Sequence, residues 1–163
     1  MKDKKIQLIV QAGLTAALYT VLTLICNAMG LASGVIQVRF SEALCILPCF
    51  TFAAVPGLFV GCLVSNLITG AAVWDIVFGS LATLLGAAGT RLLRKKRFLA
   101  SIPPIAANTL IIPFVLRYAY GAEDAMWFLF LTVFAGEFIS AGILGQLLYT
   151  PLEKRRIIKD INK

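Results

Sequence analysis

Two stretches of this chain run past thirty residues without a charge: 6–38, with 33 residues, and 43–74, with 32. A helix needs about 20 apolar residues to cross the hydrocarbon of a bilayer. Runs of that length exclude most soluble folds, because a small water-soluble domain keeps many residues in contact with solvent. Composition agrees: 60% of the residues are hydrophobic and 14% are charged, against about 45–50% and 25% in soluble domains. The chain reads as a single transmembrane domain, 1–163, embedded in a lipid bilayer.

The charges fix a topology. Net charge is +7, and 13 of the 15 cations fall in three short segments. Lys2, Lys4 and Lys5 open the chain; Arg91, Arg94, Lys95, Lys96 and Arg97 form an internal cluster; Lys154, Arg155, Arg156, Lys159 and Lys163 form a tail. Clusters flanking apolar runs point to the cytoplasmic side of a membrane rather than to nucleic acid. The first run is long for a signal peptide and no cleavage site follows it, so it is read as a helix. The second would make a helix of about 48 Å, so Pro56-Gly57 is expected to break it.

Six helices follow, at about 6–26, 39–55, 56–69, 74–93, 98–118 and 123–149, the last stopped by Pro151. Pro48 should bend the second, and Pro103-Pro104 sit in the first turn of the fifth. The fold expected is all-α, six-spanning and multi-pass, with both termini cytoplasmic. The basic clusters then share the inner side, while Arg39, Glu42, Asp75, Arg117, Glu123 and Asp124 lie outside.

With no histidine, the commonest zinc, haem and general-base chemistries are missing. Cys26, Cys45, Cys49 and Cys62 lie in apolar runs without a C-x-x-C spacing and read as buried thiols. No phosphate-binding loop is present, nor a clear inverted repeat. No catalytic residue and no metal site are expected, and a chain that moves a solute by this route needs a partner for energy.

Polar groups inside the membrane are the candidates for function, since a charge at a helix centre costs roughly 2.5–3.5 kcal/mol on insertion scales. Glu137 sits between two apolar runs. Asn66 and Asn108 lie within helices, Asp75 opens the fourth helix, and Glu42 and Arg39 share an outer turn. Gln37, Arg39 and Ser41 alternate with Val38 and Phe40, a period that fits a lid strand or extended loop. Tyr118, Tyr120, Trp127 and Phe128 fit an aromatic belt, with Trp74 and Tyr118 as stacking surfaces for a planar ligand in the sharper reading. These groups crowd the outer half, which favours a cavity opening outward over a continuous ion path. On the first helix Ala12 and Ala16, and Gly13 and Ala17, make small-residue faces that let another helix approach; Gly57 and Gly61 do the same on the third.

The string Ile36-Gln37-Val38-Arg39-Phe40-Ser41-Glu42-Ala43-Leu44, the segment from Pro56-Gly57 to Gly61-Cys62, Asn66, the run Asp75-Ile76-Val77-Phe78-Gly79-Ser80 continuing to Leu85, the start from Gln11 to Tyr19, and Gly136-Glu137 together resemble the QueT family. These are queuosine-precursor transporters, substrate-binding S components of energy-coupling factor (ECF) transporters. The resemblance implies a six-helix bundle of the S-component kind in the bacterial cell membrane, with a site near the outer leaflet closed by the loop after the first helix. It implies docking of the Ala12–Ala16 face on a transmembrane coupling protein that carries two ATPase subunits, so that ATP is used by partners and this chain needs no cofactor. The implied solute is a 7-deazaguanine. A carboxylate suits its ring N–H and exocyclic amine, with Glu137 first in line. Glu42 or Asp75 would meet an aminomethyl cation, Asn66 and Asn108 the carbonyl and ring nitrogens, and Arg39 would pair with Glu42 or close the lid. The alternatives are an S component for another vitamin-like solute, or an independent small secondary transporter.

Overall fold

A computed structural model describes residues 2–31 and 36–154. Ser33 and Gly34 of the expected loop, and the tail cations Arg155, Arg156, Lys159 and Lys163, lie outside the described residues. Every regular element among the described residues is helical. Helix α1 spans Lys2–Ala28, a 3-10 helix spans Phe40–Cys49, α2 Ala54–Ile68, α3 Val73–Leu92 and α4 Ile102–Ala119. Then α5, Met126–Glu137, passes through a π-helical segment, Phe138–Leu144, into α6, Gly145–Lys154. Among the described residues, four continuous helices are long and apolar enough to cross a membrane: Lys4–Ala28, Val73–Leu92, Leu99–Ala119 and Met126–Lys154.

The second expected helix takes a different form. Residues 39–55 do not make one α-helix; they make a 10-residue 3-10 helix followed by a turn at 50–53. Arg39 stays extended at φ −118°, ψ 110°. In a 3-10 helix side chains three apart eclipse, and the buried positions Glu42, Cys45 and Pro48 keep that spacing. Ten such residues rise about 20 Å, and the 15 residues of α2 about 22 Å. Both are short for a hydrocarbon core of about 30 Å, although α2 keeps close to the expected 56–69.

Contacts give the path of the chain. Gly57 packs on Ala12 and Gly61 on Ala16, so α1 and α2 run side by side in the same direction. The 3-10 segment returns between them: Ser41 meets Thr23, and Thr51 meets Gln11 near the start of α1. A core forms where these three pieces meet α3, from Tyr19, Leu44, Cys45, Leu58, Cys62 and Ala87.

Other boundaries also move. The break falls at 51–53, before Pro56, which sits in the first turn of α2, where its missing N–H costs little. Pro103-Pro104 occupy the first turn of α4, as expected. Pro151 does not end the last helix, which runs on to Lys154. Its final turns are held from the side: Thr150 Oγ1 accepts from Arg97 at 2.7 Å, and Tyr149 packs on Phe50 at 4.9 Å between ring centres. Arg91, at the end of α3, donates to the Pro48 carbonyl at 3.0 Å. The cluster 91–97 and the ends of the 3-10 helix and α6 therefore meet at one end of the bundle. Asp75, Tyr120 and the α4–α5 connection meet at the other.

Candidate functional site

Glu137 is the last residue of α5, where the helix widens into the π-helical segment. Such widenings leave the i→i−4 ladder and re-aim side chains, and they are frequent at functional sites. Here the widening turns Glu137 and Ser140 toward the entering chain. Ser140 Oγ accepts from the Arg39 N–H at 3.1 Å. One turn earlier, Gly136 lies directly beneath the Gln37 carbonyl, where any Cβ would collide with it. Residues 37–39 are thus strapped across the α5–π junction in extended form, with no strand.

Beneath the strap lies a cavity of about 30 Å³, bounded by Arg39, Glu42, Asn108 and Glu137, with Gln37, Cys62, Gly79 and Thr83 in its wall. That is room for a water or two. Glu42 is held by its neighbours: one oxygen accepts from the Tyr19 hydroxyl, the other from the Cys45 thiol at 3.1 Å. Asn108, mid-way along α4, faces Glu137 across the cavity wall. Among the described residues, Glu137 Oε2 is buried without a hydrogen-bond partner. The Arg39 guanidinium faces Asp75 and Glu42 and also Glu137. One cation therefore sits among three carboxylates.

Asn66 and Asp75 form a second layer behind Gly79. A Cβ on Gly79 would lie 2.9 Å from Asp75 Oδ1 and 3.3 Å from Asn66 Nδ2. Asn66 Nδ2 donates to the Asp75 carbonyl at 3.4 Å. Asp75 Oδ2 accepts from the Tyr120 hydroxyl at 2.9 Å, while Oδ1 is buried and unpartnered. Tyr120 also accepts from the Ala72 N–H at 3.1 Å, tying the α2–α3 turn to the α4–α5 connection. Burial pushes the Tyr120 phenol above its usual range; the Ala72 N–H opposes the shift and the Asp75 charge adds to it. The phenol stays protonated and donates throughout the physiological range.

Of the expected residues, the fold gathers Arg39, Glu42, Asn108 and Glu137 around the cavity and sets Asn66 and Asp75 just behind it. It does not bring in Trp74 and Tyr118. They are 61% and 80% exposed and line an outward-facing apolar groove with Phe78 and Phe114. Asp75 points inward from the first turn of α3, and adjacent helix positions face different ways, so Trp74 turns out. The small-residue faces of α1 also divide. Ala12 and Ala16 are half-buried against α2, because Gly57 and Gly61 lack side chains to hold the helices apart. Gly13 and Ala17 remain exposed.

Gln37 lies in the extended lid that the alternation at 37–41 suggested, whereas Tyr19 and Gly79 are contributors that the residue pattern did not single out, and Tyr120 was read only as part of an aromatic belt. Tyr120 carries the aromatic signal of an interface belt, yet its hydroxyl is committed to Asp75. Tyr19 had a readable sign: a phenol in mid-span needs a buried acceptor. Among the described residues no three His, Cys, Asp or Glu side chains group as metal ligands.

A family model described as QueT transporter matches residues 9–154. A queuosine precursor transporter, QueT, of Lactococcus lactis subsp. cremoris is 34% identical over 85 residues, covering 52% of this chain and 50% of that protein. The chain is thus aligned with about half the length of that relative. No solved structure matches.

Proposed function

The chain belongs to the QueT transporter family, and from that premise we propose that it is the solute-binding membrane subunit of an uptake system for a queuosine precursor. The family is one of transporters, not of enzymes, and several apolar helices fit a multi-pass membrane protein. In this reading the solute is a 7-deazaguanine held beneath the strap 37–39. ATP is used by an ECF coupling protein with two ATPase subunits, and this chain needs no cofactor of its own.

The observation that carries the proposal is the unpartnered oxygen of Glu137, buried in the cavity wall beside Asn108. A buried carboxylate oxygen without a donor is costly. A guanine-like edge brings the ring N–H and exocyclic amine that such a carboxylate accepts in a charge-assisted pair. Asn108 supplies amide groups for the carbonyl or a ring nitrogen. Three carboxylates around one guanidinium leave the site short of positive charge, which favours the cationic aminomethyl precursor over the neutral cyano one. Asp75, with its own unpartnered oxygen, is the acceptor for that ammonium, and Glu42 holds Tyr19 in place. A bicyclic base needs several times the 30 Å³ of the cavity, so entry requires the strap to lift from Gly136 and Ser140.

In the same reading the six passes of the chain lie across the bilayer, with both termini and the cluster 91–97 cytoplasmic. The strap then faces outward. The exposed Gly13–Ala17 face of α1 meets the coupling protein, with Ala12 and Ala16 setting its distance from α2.

Uptake tests the proposal. Cells unable to make queuosine precursors, expressing this chain with an ECF module, are expected to accumulate labelled aminomethyl-deazaguanine and to lose that ability when the ATPase subunits are inactivated. Accumulation independent of the ATPases would point instead to a secondary transporter, and accumulation of a vitamin in place of the deazaguanine would overturn the substrate.

A further inference from the structure

At the basic end of the bundle, outside the solute cavity, one arginine is held in a fixed pose at the mouth of a groove. Arg97 Nε donates to Gln146 Oε1 at 3.1 Å. Its Nη2 donates to Thr150 Oγ1 at 2.7 Å and to the Gln146 carbonyl at 3.3 Å. Gln146 returns its amide to the Arg97 carbonyl at 3.0 Å and to Ser101 Oγ at 2.8 Å. The guanidinium lies over the Tyr149 ring, 4.7 Å from its centre. These contacts orient the fork and leave Nη1 outside the hydrogen bonds.

Arg97, Ser101, Gln146 and Thr150 rim one end of an open groove of about 490 Å³ between α4 and the π-helical segment. Ile102, Ile105 and Phe138 belong both to this groove and to a second of about 440 Å³, which continues along α4 to Phe134. The two make one channel on the outside of the bundle, polar and cationic at the basic end and apolar beyond. Gly142 keeps its floor open: the nearest atoms a Cβ there would meet belong to Ile105 and Phe138, both at 3.5 Å. Arg94, Lys95 and Lys96 are exposed beside Arg97.

We propose that this channel is a binding site for one anionic phospholipid, with its phosphate on Arg97 and an acyl chain along Ile102, Ile105 and Phe138. Charge complementarity selects the headgroup, since a planar guanidinium fixed by neighbours is suited to phosphate. The long apolar groove selects a chain-bearing ligand over a free anion. The depth agrees, because the charged rim lies where the apolar helices end and the cationic loop begins. Lysines beside the rim add attraction for an anionic surface. A lipid seated here bridges α4 to the π–α6 segment, which continues from Glu137 at the end of α5.

Native mass spectrometry of the delipidated full-length chain, titrated with phosphatidylglycerol or with phosphatidylcholine of the same acyl chains, tests the site. One phosphatidylglycerol is expected to bind at least tenfold more tightly than phosphatidylcholine. Arg97→Gln is expected to reduce that preference to within twofold. Gly142→Phe fills the groove and is expected to weaken both lipids. Lys95→Gln with Lys96→Gln, at exposed positions, serves if Arg97→Gln does not fold, and is expected to cut the preference at least threefold. Equal binding of the two lipids overturns the proposal, as does an unchanged preference in a folded Arg97→Gln protein. Displacement by millimolar glycerol phosphate, which has the headgroup chemistry without the chains, would make the site one for small anions and would also overturn it.

Discussion

Among the described residues, Glu137 and Asp75 each keep one carboxylate oxygen buried and unpaired. A buried acceptor left without its donor costs about 1–3 kcal/mol, and more when charged. An acceptor that costs this much is explained by a donor that arrives with the ligand. Replacing Glu137 with Gln keeps the size and the Asn108 contact but removes the charge. Solute affinity is expected to fall at least tenfold, a loss of about 1.4 kcal/mol, as read by isothermal titration; unchanged affinity would remove Glu137 from the site. The sequence made this residue legible, because a lone carboxylate between apolar runs is conspicuous. It did the reverse for Trp74 and Tyr118. Aromatic character says that a ring sits near an interface, but not which way it turns, and here both turn away from the cavity. Tyr19 and Tyr120 were harder to read because their roles depend on acceptors 23 and 45 positions away.

The elements that make the site are the irregular ones: the 3-10 helix that carries Glu42, the extended strap 37–39, and the π-helical widening after Glu137. Hydrophobic patterning finds long α-helices because their composition suffices, and so α1, α3 and α4 and the α5–α6 span were close to expectation. It overlooks a three-residue period in a uniformly apolar stretch, which is why 39–55 read as an α-helix. It also cannot register a π-segment, which changes no composition. Two glycine substitutions probe these elements. Gly136→Ala places a methyl group against the Gln37 carbonyl. It is expected to lift the strap, speeding ligand release at least fivefold in a stopped-flow chase and lowering the melting temperature of the ligand-free protein. Gly61→Val sets a side chain 2.8 Å from Tyr19 Cβ and 2.9 Å from the Ala16 carbonyl. The α1–α2 pair must then separate, and a cost of about 1–3 kcal/mol is expected as a lower melting temperature in detergent.

For the whole molecule, the fold sets a closed polar cavity among three carboxylates at one end and a cationic rim at the other, with α1 on the edge. Only 17% of the best apolar window of α1 is buried, so most of that helix faces outward. A Cβ on Gly13 meets nothing within 4 Å, and any other common helix former there gains helix propensity by about 1 kcal/mol. Gly13→Leu is therefore expected to keep solute binding and stability while abolishing co-purification with a coupling protein and ATPases; retained co-purification would move the docking face elsewhere. A deazaguanine is the proposed occupant of the cavity. Thermal stabilisation of the purified chain measures it most directly, with aminomethyl- and cyano-deazaguanine, guanine and several vitamins compared. At about 100 times its dissociation constant a ligand adds about 2.7 kcal/mol to stability. A selective upward shift with the deazaguanines is expected, largest for the aminomethyl compound. A shift with a vitamin alone, or none with any compound in a folded protein, would contradict it.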